Sequence, residues 1–189
     1  MRRREFIKVI AGSAAWPFAA HAQQPERVRR IGVLMALPAN DPEGQAFVAA
    51  FLQGLQELGW SDGRNAIVDI RWFTGNSADA RKYASELVAL APDVILAHSS
   101  PAVAALGQIT RTVPIVFTNV TDPVGAGYVD SLARPGSNIT GFTVFDYSMS
   151  GKWLQLLKEV APGITRVAVL RDPSIASGPA EFAVIQAAA

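Results

Sequence analysis

Cysteine is absent from all 189 residues. That removes disulfides, thiolate metal sites and a cysteine nucleophile, and leaves burial of apolar surface to hold the chain together. Histidine is almost as scarce, with only His21 and His98. Two histidines and scattered carboxylates provide no metal-ligand spacing, so no metal site is expected. Neither G-x-G-x-x-G nor a P-loop follows the first strand-like run, where a dinucleotide or triphosphate would need one, and no cofactor is expected. A charge excess is missing too: 17 Lys and Arg stand against 16 Asp and Glu, which argues against nucleic acid as a partner. Half of the residues are hydrophobic, enough for a packed core and too many for a disordered chain.

The N-terminus has the grammar of an export signal. Arg2, Arg3 and Arg4 precede Phe6-Ile7-Lys8, the uncharged stretch Val9 to Ala20 follows, and Ala20-His21-Ala22 forms a small-residue cleavage site. The run Arg3-Arg4-Glu5-Phe6-Ile7-Lys8 matches a twin-arginine pattern. The uncharged stretch contains Gly12 and Pro17 and is too short to span a hydrocarbon layer of about 30 Å, so cleavage after Ala22 and a periplasmic product are expected rather than a retained anchor. Cleavage removes four of the 17 basic and one of the 16 acidic residues, leaving 13 against 15, a net charge of −2. His98 is then the one remaining histidine.

From Arg29 onward, short β-branched runs alternate with helical patterns, which predicts an α/β fold with a doubly wound parallel sheet. Strands are expected at Arg30–Met35, Ala66–Trp72, Val94–Ala97, Pro114–Thr118 and Ile139–Val144. Between them, Phe47, Phe51, Leu55 and Leu58 mark one amphipathic helix, stopped by Gly59. Tyr83, Leu87 and Leu90 mark a second, begun at Asn76 and ended by Pro92, and Pro101 to Ile109 forms a third. After Ser148 a helix carries Trp153, Leu156, Leu157 and Val160 and is capped by Gly163. Arg166 to Leu170 then reads as another buried strand, and Ala180 to Ala189 as the start of a further helix. The division expected is a signal over 1–22, a first α/β lobe over 29–143, and over 144–189 a crossover with the start of a second lobe whose remainder is missing.

In an open parallel sheet the ligand crevice lies beyond the carboxyl ends of the strands. The loops to examine are therefore Ala36–Pro42, His98–Pro101 and Asn119–Pro123. Ser100 precedes Pro101, a favoured first helical residue; free amides there, with the Ser99 and Ser100 hydroxyls, could meet a carboxylate, or Ser100 could simply cap its own helix. Asp122 before Pro123 carries the same pair of readings, a ligand ammonium or a local turn. His98 sits beside Ser99, but no Gly-x-Ser-x-Gly elbow exposes a nucleophile, so catalysis is not expected.

Three runs then become recognisable: Asp122-Pro123-Val124-Gly125-Ala126-Gly127, Ser131-Leu132-Ala133-Arg134-Pro135-Gly136 and Asn138-Ile139-Thr140-Gly141. They resemble the tryptophan/tyrosine-type substrate-binding proteins of ABC transporters. The resemblance implies a type I periplasmic-binding-protein fold of two lobes, a small-molecule solute in the cleft between them, and an inner-membrane ABC permease as partner. It places the crossover near Thr143 to Tyr147. On the first lobe it implies ligand contacts from Leu37, Pro38, His98, Ser99, Ser100, Pro101, Asn119, Thr121 and Asp122. The solute class expected is an amino acid or a related carboxylate. An exported α/β hydrolase and a non-functional gene fragment are the alternatives, because a fold alone does not fix a function.

Overall fold

The computed structural model describes residues 27–74, 76–171 and 177–189. Residues 1–22, where an export signal is expected, lie outside the described residues. Five strands form one all-parallel sheet: β1 (Arg29–Met35), β2 (Ala66–Trp72), β3 (Val94–His98), β4 (Ile115–Val120) and β5 (Ile139–Thr143), in the order β2-β1-β3-β4-β5. Three helices connect the first four strands: α1 (Pro42–Glu57), α2 (Ser77–Ala89) and α3 (Ser100–Ile109). Beyond the sheet lie α4 (Ser148–Val160) and α5 (Ser177–Ala188), which pack against each other.

Helix boundaries follow local chemistry. Asp41 caps α1 by accepting from the Gly44 amide at 2.9 Å, with Pro42 in the first turn, and Asn76 caps α2 by accepting from the Ala78 amide at 2.9 Å. The starts of β1 and β3 are tied together by Asp93. Its carboxylate accepts from the Arg30 amide and from the Arg29 guanidinium, each at 2.9 Å, and these bonds hold its pKa below the usual carboxylate range.

Strand order decides which face each helix covers. β1 to β2 runs one way across the sheet, while β2 to β3 and β3 to β4 run the other way, so right-handed crossovers put α1 on one face and α2 and α3 on the opposite face. The core divides accordingly. Leu34, Ile95, Ala97, Ile115 and Phe117 pack with Ala80, Ala84 and Leu87 of α2 and Val103 and Leu106 of α3. On the other face Ile31, Val33 and Met35 pack with Val48, Phe51, Leu52 and Leu55 of α1. One helix cannot cover five strands. On the α1 face Leu96, Val116 and Thr118 are only half-buried, and Phe142 of β5 is 72% exposed.

Three expectations need correction. The apolar stripe of α1 does not all face the core: Phe47 is 42% and Leu58 78% exposed, because the register turns Val48 and Gly44 inward instead. Gly163 does not cap α4; the helix ends at Ala161, whose amide donates to the Leu157 carbonyl at 3.0 Å. Arg166–Leu170 is not a buried strand. It carries no ladder and Leu170 is fully exposed, since a parallel strand needs a hydrogen-bonded neighbour and none of the described residues supplies one. The stripe Trp153, Leu156, Leu157 and Val160 on α4 is exposed as well.

Between Phe117↔Gly141 and Val120↔Thr143, β4 advances one residue more than β5, which makes a bulge at Thr118-Asn119. Gly141 permits it, since a Cβ there would overlap the Phe117 carbonyl. Gly141→Ala should therefore lower stability by roughly 3 kcal/mol. A shift in urea midpoint at unchanged slope would show this; an unchanged midpoint would mean that β4 and β5 pair without the close approach.

Candidate functional site

The strand reversal in β2-β1-β3 opens a crevice at the carboxyl ends of β1 and β3, the place where open α/β sheets bind ligands. Backbone strain gathers there. Among the described residues four non-glycines have positive φ: Ala91 at 51°, Ser99 at 75°, Asn119 at 56° and Asp122 at 39°. Three of the four lie at the carboxyl ends of β3 and β4: Ser99 and Asp122 in the loops that follow them, and Asn119 in the bulged end of β4 itself. A side chain in the left-handed region is unfavourable and persists only where the surroundings hold it, a condition that recurs at ligand sites.

Ser99, not Ser100, occupies the N-cap of α3, and it makes no side-chain capping bond. The first-turn amides of α3 therefore have no side-chain acceptor of their own and remain available to an anion. Ser100 begins the helix and is 6% exposed, and its carbonyl accepts from the Tyr128 hydroxyl at 3.3 Å. Pro101 occupies the first turn.

His98 ends β3 with 5% exposure. The bulge turns Asn119 so that its Nδ2 lies 3.2 Å from His98 Nε2, while His98 Nδ1 is buried without a partner. The ring's polar contact is thus an amide, not a serine hydroxyl, which is no arrangement for a nucleophile and its base. Burial lowers the His98 pKa from 6.5, with the charge of Glu43 opposing weakly, so the ring is neutral at pH 7.

Asp122 is held on both sides. One carboxylate oxygen accepts from the Gly125 amide at 2.7 Å and the other from the Tyr147 amide at 3.3 Å, while its own amide donates to the Phe145 carbonyl at 2.9 Å. It closes a turn, as one of the two readings held, and also ties the β4 loop to the segment that leads into α4. Thr121 lies half-buried beside it.

A cavity of about 380 Å³ opens between α1 and the sheet, lined by Met35, Phe47, Phe51, His98, Asn119 and Val144 among others. Phe47 and His98 face each other with centroids 5.5 Å apart at 36°. Pro38 borders a different cavity of about 270 Å³, with Trp72, Phe73, Asp79 and Tyr83, and Leu37 packs toward α1 near Gly44. The structure therefore brings His98 and Asn119 together with the adjoining Ser99 and sets Leu37 and Pro38 apart from them. Phe47, Met35, Thr118 and Val144 were missed as lining residues. The one available signal was the place of Phe47 in the second turn of α1, close to the crevice.

This sheet order, with a strained polar rim at the strand ends, is that of a type I periplasmic-binding-protein-like lobe. The chain belongs to the family of ABC transporter substrate-binding proteins, whose model matches residues 31–189. It is similar to a tyrosine-binding protein of Clostridioides difficile (strain R20291), 32% identical over 151 residues, which are 79% of this chain and 42% of that protein. Among solved structures it is similar to a conserved domain protein from Vibrio cholerae, with 31% identity, a TM-score of 0.75, and coverage of 86% of this chain and 53% of that one. It is also similar to an ABC domain from Streptococcus pneumonia in complex with L-Trp, with 25% identity, a TM-score of 0.70, and coverage of 85% and 52%. The chain spans about half the length of these relatives.

Because folding holds His98 neutral while the unfolded ring titrates near 6.5, acid favours the unfolded chain. Stability should be full above about pH 6.5 and fall as pH drops below it, and His98→Gln should flatten that slope. Urea midpoints measured between pH 5 and pH 8 test this; identical slopes for both proteins would refute a buried neutral ring.

Proposed function

We propose that this chain is the solute-capturing component of an ABC import system, exported to the periplasm, where it binds an aromatic amino acid and delivers it to an inner-membrane permease. The observation that carries the reading is the gathering of three strained residues, Ser99, Asn119 and Asp122, at the strand ends where a ligand would sit. The uncapped α3 N-terminus suits a carboxylate. The Asp122 carboxylate, with lone pairs beyond those used by Gly125 and Tyr147, suits an ammonium group. The names of the relatives, a tyrosine-binding protein and an L-Trp complex, favour an aromatic side chain.

Export rests on the sequence features of residues 1–22, with a twin-arginine route and cleavage after Ala22. In this reading residues 29–143 are the first lobe, and 144–189 begin the second. A site built to close between two lobes buries most of its ligand, and one lobe supplies only part of that contact. Binding to this chain alone is therefore weak.

Titration of isotope-labelled protein with L-tyrosine and L-tryptophan, followed by amide chemical shifts, is the direct test. Shifts should cluster at Ser99, Ala102, Asn119, Thr121 and Asp122, with a dissociation constant of about a millimolar or weaker. Asp122→Ala should weaken binding at least about tenfold. Shifts spread elsewhere, or none up to the solubility limit, would defeat the proposal.

A further inference from the structure

We infer that His98 sets which hydrogen-bonding edge Asn119 turns to the crevice: beside the neutral ring the side chain offers its carbonyl oxygen, and a proton taken up by the ring turns the amide over so that it offers its N–H groups instead. The inference rests on the solute-capture reading above and deepens it, because it names the kind of group that the β4 end of the crevice takes and how acid changes it.

The tautomer comes first. Asn119 Nδ2 lies 3.2 Å from His98 Nε2. An amide nitrogen donates and does not accept, so Nε2 is the bare, accepting nitrogen, and a neutral ring then carries its proton on Nδ1. With Nδ2 spent on the ring, the carbonyl oxygen is the side-chain atom left for the crevice, and Asn119 is exposed there.

Both partners are held in place. His98 ends β3 at 5% exposure, with the Phe47 ring centroid 5.5 Å from its own. The Asn119 backbone is fixed by the bulge, with φ at 56° between the pairs Phe117↔Gly141 and Val120↔Thr143. What remains free is the terminal amide torsion of Asn119, which is broad and roughly two-fold.

A proton on Nε2 makes both ring nitrogens donors. Nε2–H would then face the Asn119 N–H groups, donor against donor. Turning the amide over sets the carbonyl oxygen opposite Nε2–H, which restores the bond and makes it charge-assisted. The same turn carries the N–H groups to the crevice, whose edge at this point changes from acceptor to donor. Burial lowers the His98 pKa from 6.5, so the neutral arrangement holds at pH 7 and the turned one belongs to acid. The ring's neighbours Met35 of β1, Phe47 of α1 and Thr118 of β4 do not titrate in this range. Among the described residues Glu43 of α1 is the one charged group whose field acts on the ring, and it favours the proton.

The test follows the labelled His98 and Asn119 side chains of the full chain by NMR from about pH 8 to about pH 5. At the upper end His98 should show a protonated Nδ1 and a bare Nε2, and the Asn119 N–H groups should cross-relax with the ring protons that flank Nε2. As the ring titrates, that cross-relaxation should vanish. Two neutral probes read the exposed edge: pyrrole, which only donates, and N,N-dimethylacetamide, which only accepts. Pyrrole should shift Asn119 at about pH 8 and bind at least about threefold more weakly at about pH 5, while N,N-dimethylacetamide should do the reverse. His98→Gln, which does not titrate, should hold one ratio of the two affinities throughout. A neutral ring with its proton on Nε2, cross-relaxation that survives the titration, or probe affinities indifferent to pH each overturn the inference. If the side chains and probes behave as expected but L-tyrosine and L-tryptophan leave Ser99, Asn119 and Asp122 unshifted, the solute-capture reading fails and the proton-driven turn of Asn119 stands.

Discussion

The fold turns on the reversal of direction at β1. The strand after β1 is laid to one side and every later strand to the other, and because parallel connections are right-handed, that single choice sends α1 to one face and α2 and α3 to the other. It also separates the loops leaving β1 and β3, which is what opens a crevice at their carboxyl ends. Placement of the candidate site and the uneven cover of the sheet are thus two results of one topological constraint. Two of those helices start at the strand ends where the crevice lies, and α3 starts there from a left-handed Ser99 without a capping bond.

Much of the sheet is legible in the residues. Ala66–Trp72 is read to the residue, and the other four strands to within two residues at either end, because buried parallel strands are continuous β-branched runs bounded by turn residues. Elements that depend on a distant partner are not legible. Arg166–Leu170 has the composition of a strand and lies exposed, since composition does not supply a neighbour to pair with. The stripe of α1 is periodic as expected, yet Phe47 serves a cavity rather than the core, and periodicity does not distinguish the two. Of the candidate site, the loops could be named from topology. The bulge that turns Asn119 toward His98 could not, because it arises from a one-residue mismatch between β4 and β5 that no local pattern encodes.

The motifs that carry the family resemblance are mostly structural. In Asp122-Pro123-Val124-Gly125 the carboxylate closes its own turn on the Gly125 amide, and a Cβ at Gly125 would crowd both Asp122 and Tyr147. In Ser131-Leu132-Ala133-Arg134-Pro135-Gly136 the Ser131 hydroxyl and the Arg134 backbone close a second turn, which brings the Asp130 amide to the Pro135 carbonyl. These turns replace a helix between β4 and β5, and Tyr128 and Val129 from the same stretch cover the α3 side of the sheet. A family signature of this kind reports fold, so the solute must be argued from the side chains around the crevice.

Asp122 joins the two lines of argument. Its carboxylate and amide fasten the β4 loop to Phe145 and Tyr147, the segment that leaves the sheet for α4, while its backbone sits in the strained region beside the crevice. A residue so placed borders both the crevice and the path of the chain away from the sheet. In the proposed solute-capture reading, an ammonium group drawn to the free lone pairs of this carboxylate would act on the same side chain that accepts from the Tyr147 amide, so solute binding and the position of the outgoing segment would be coupled there. That coupling is what a protein needs if capture of a solute is to change the relation between a lobe and whatever follows it, and it requires no further group than the one that already closes the turn.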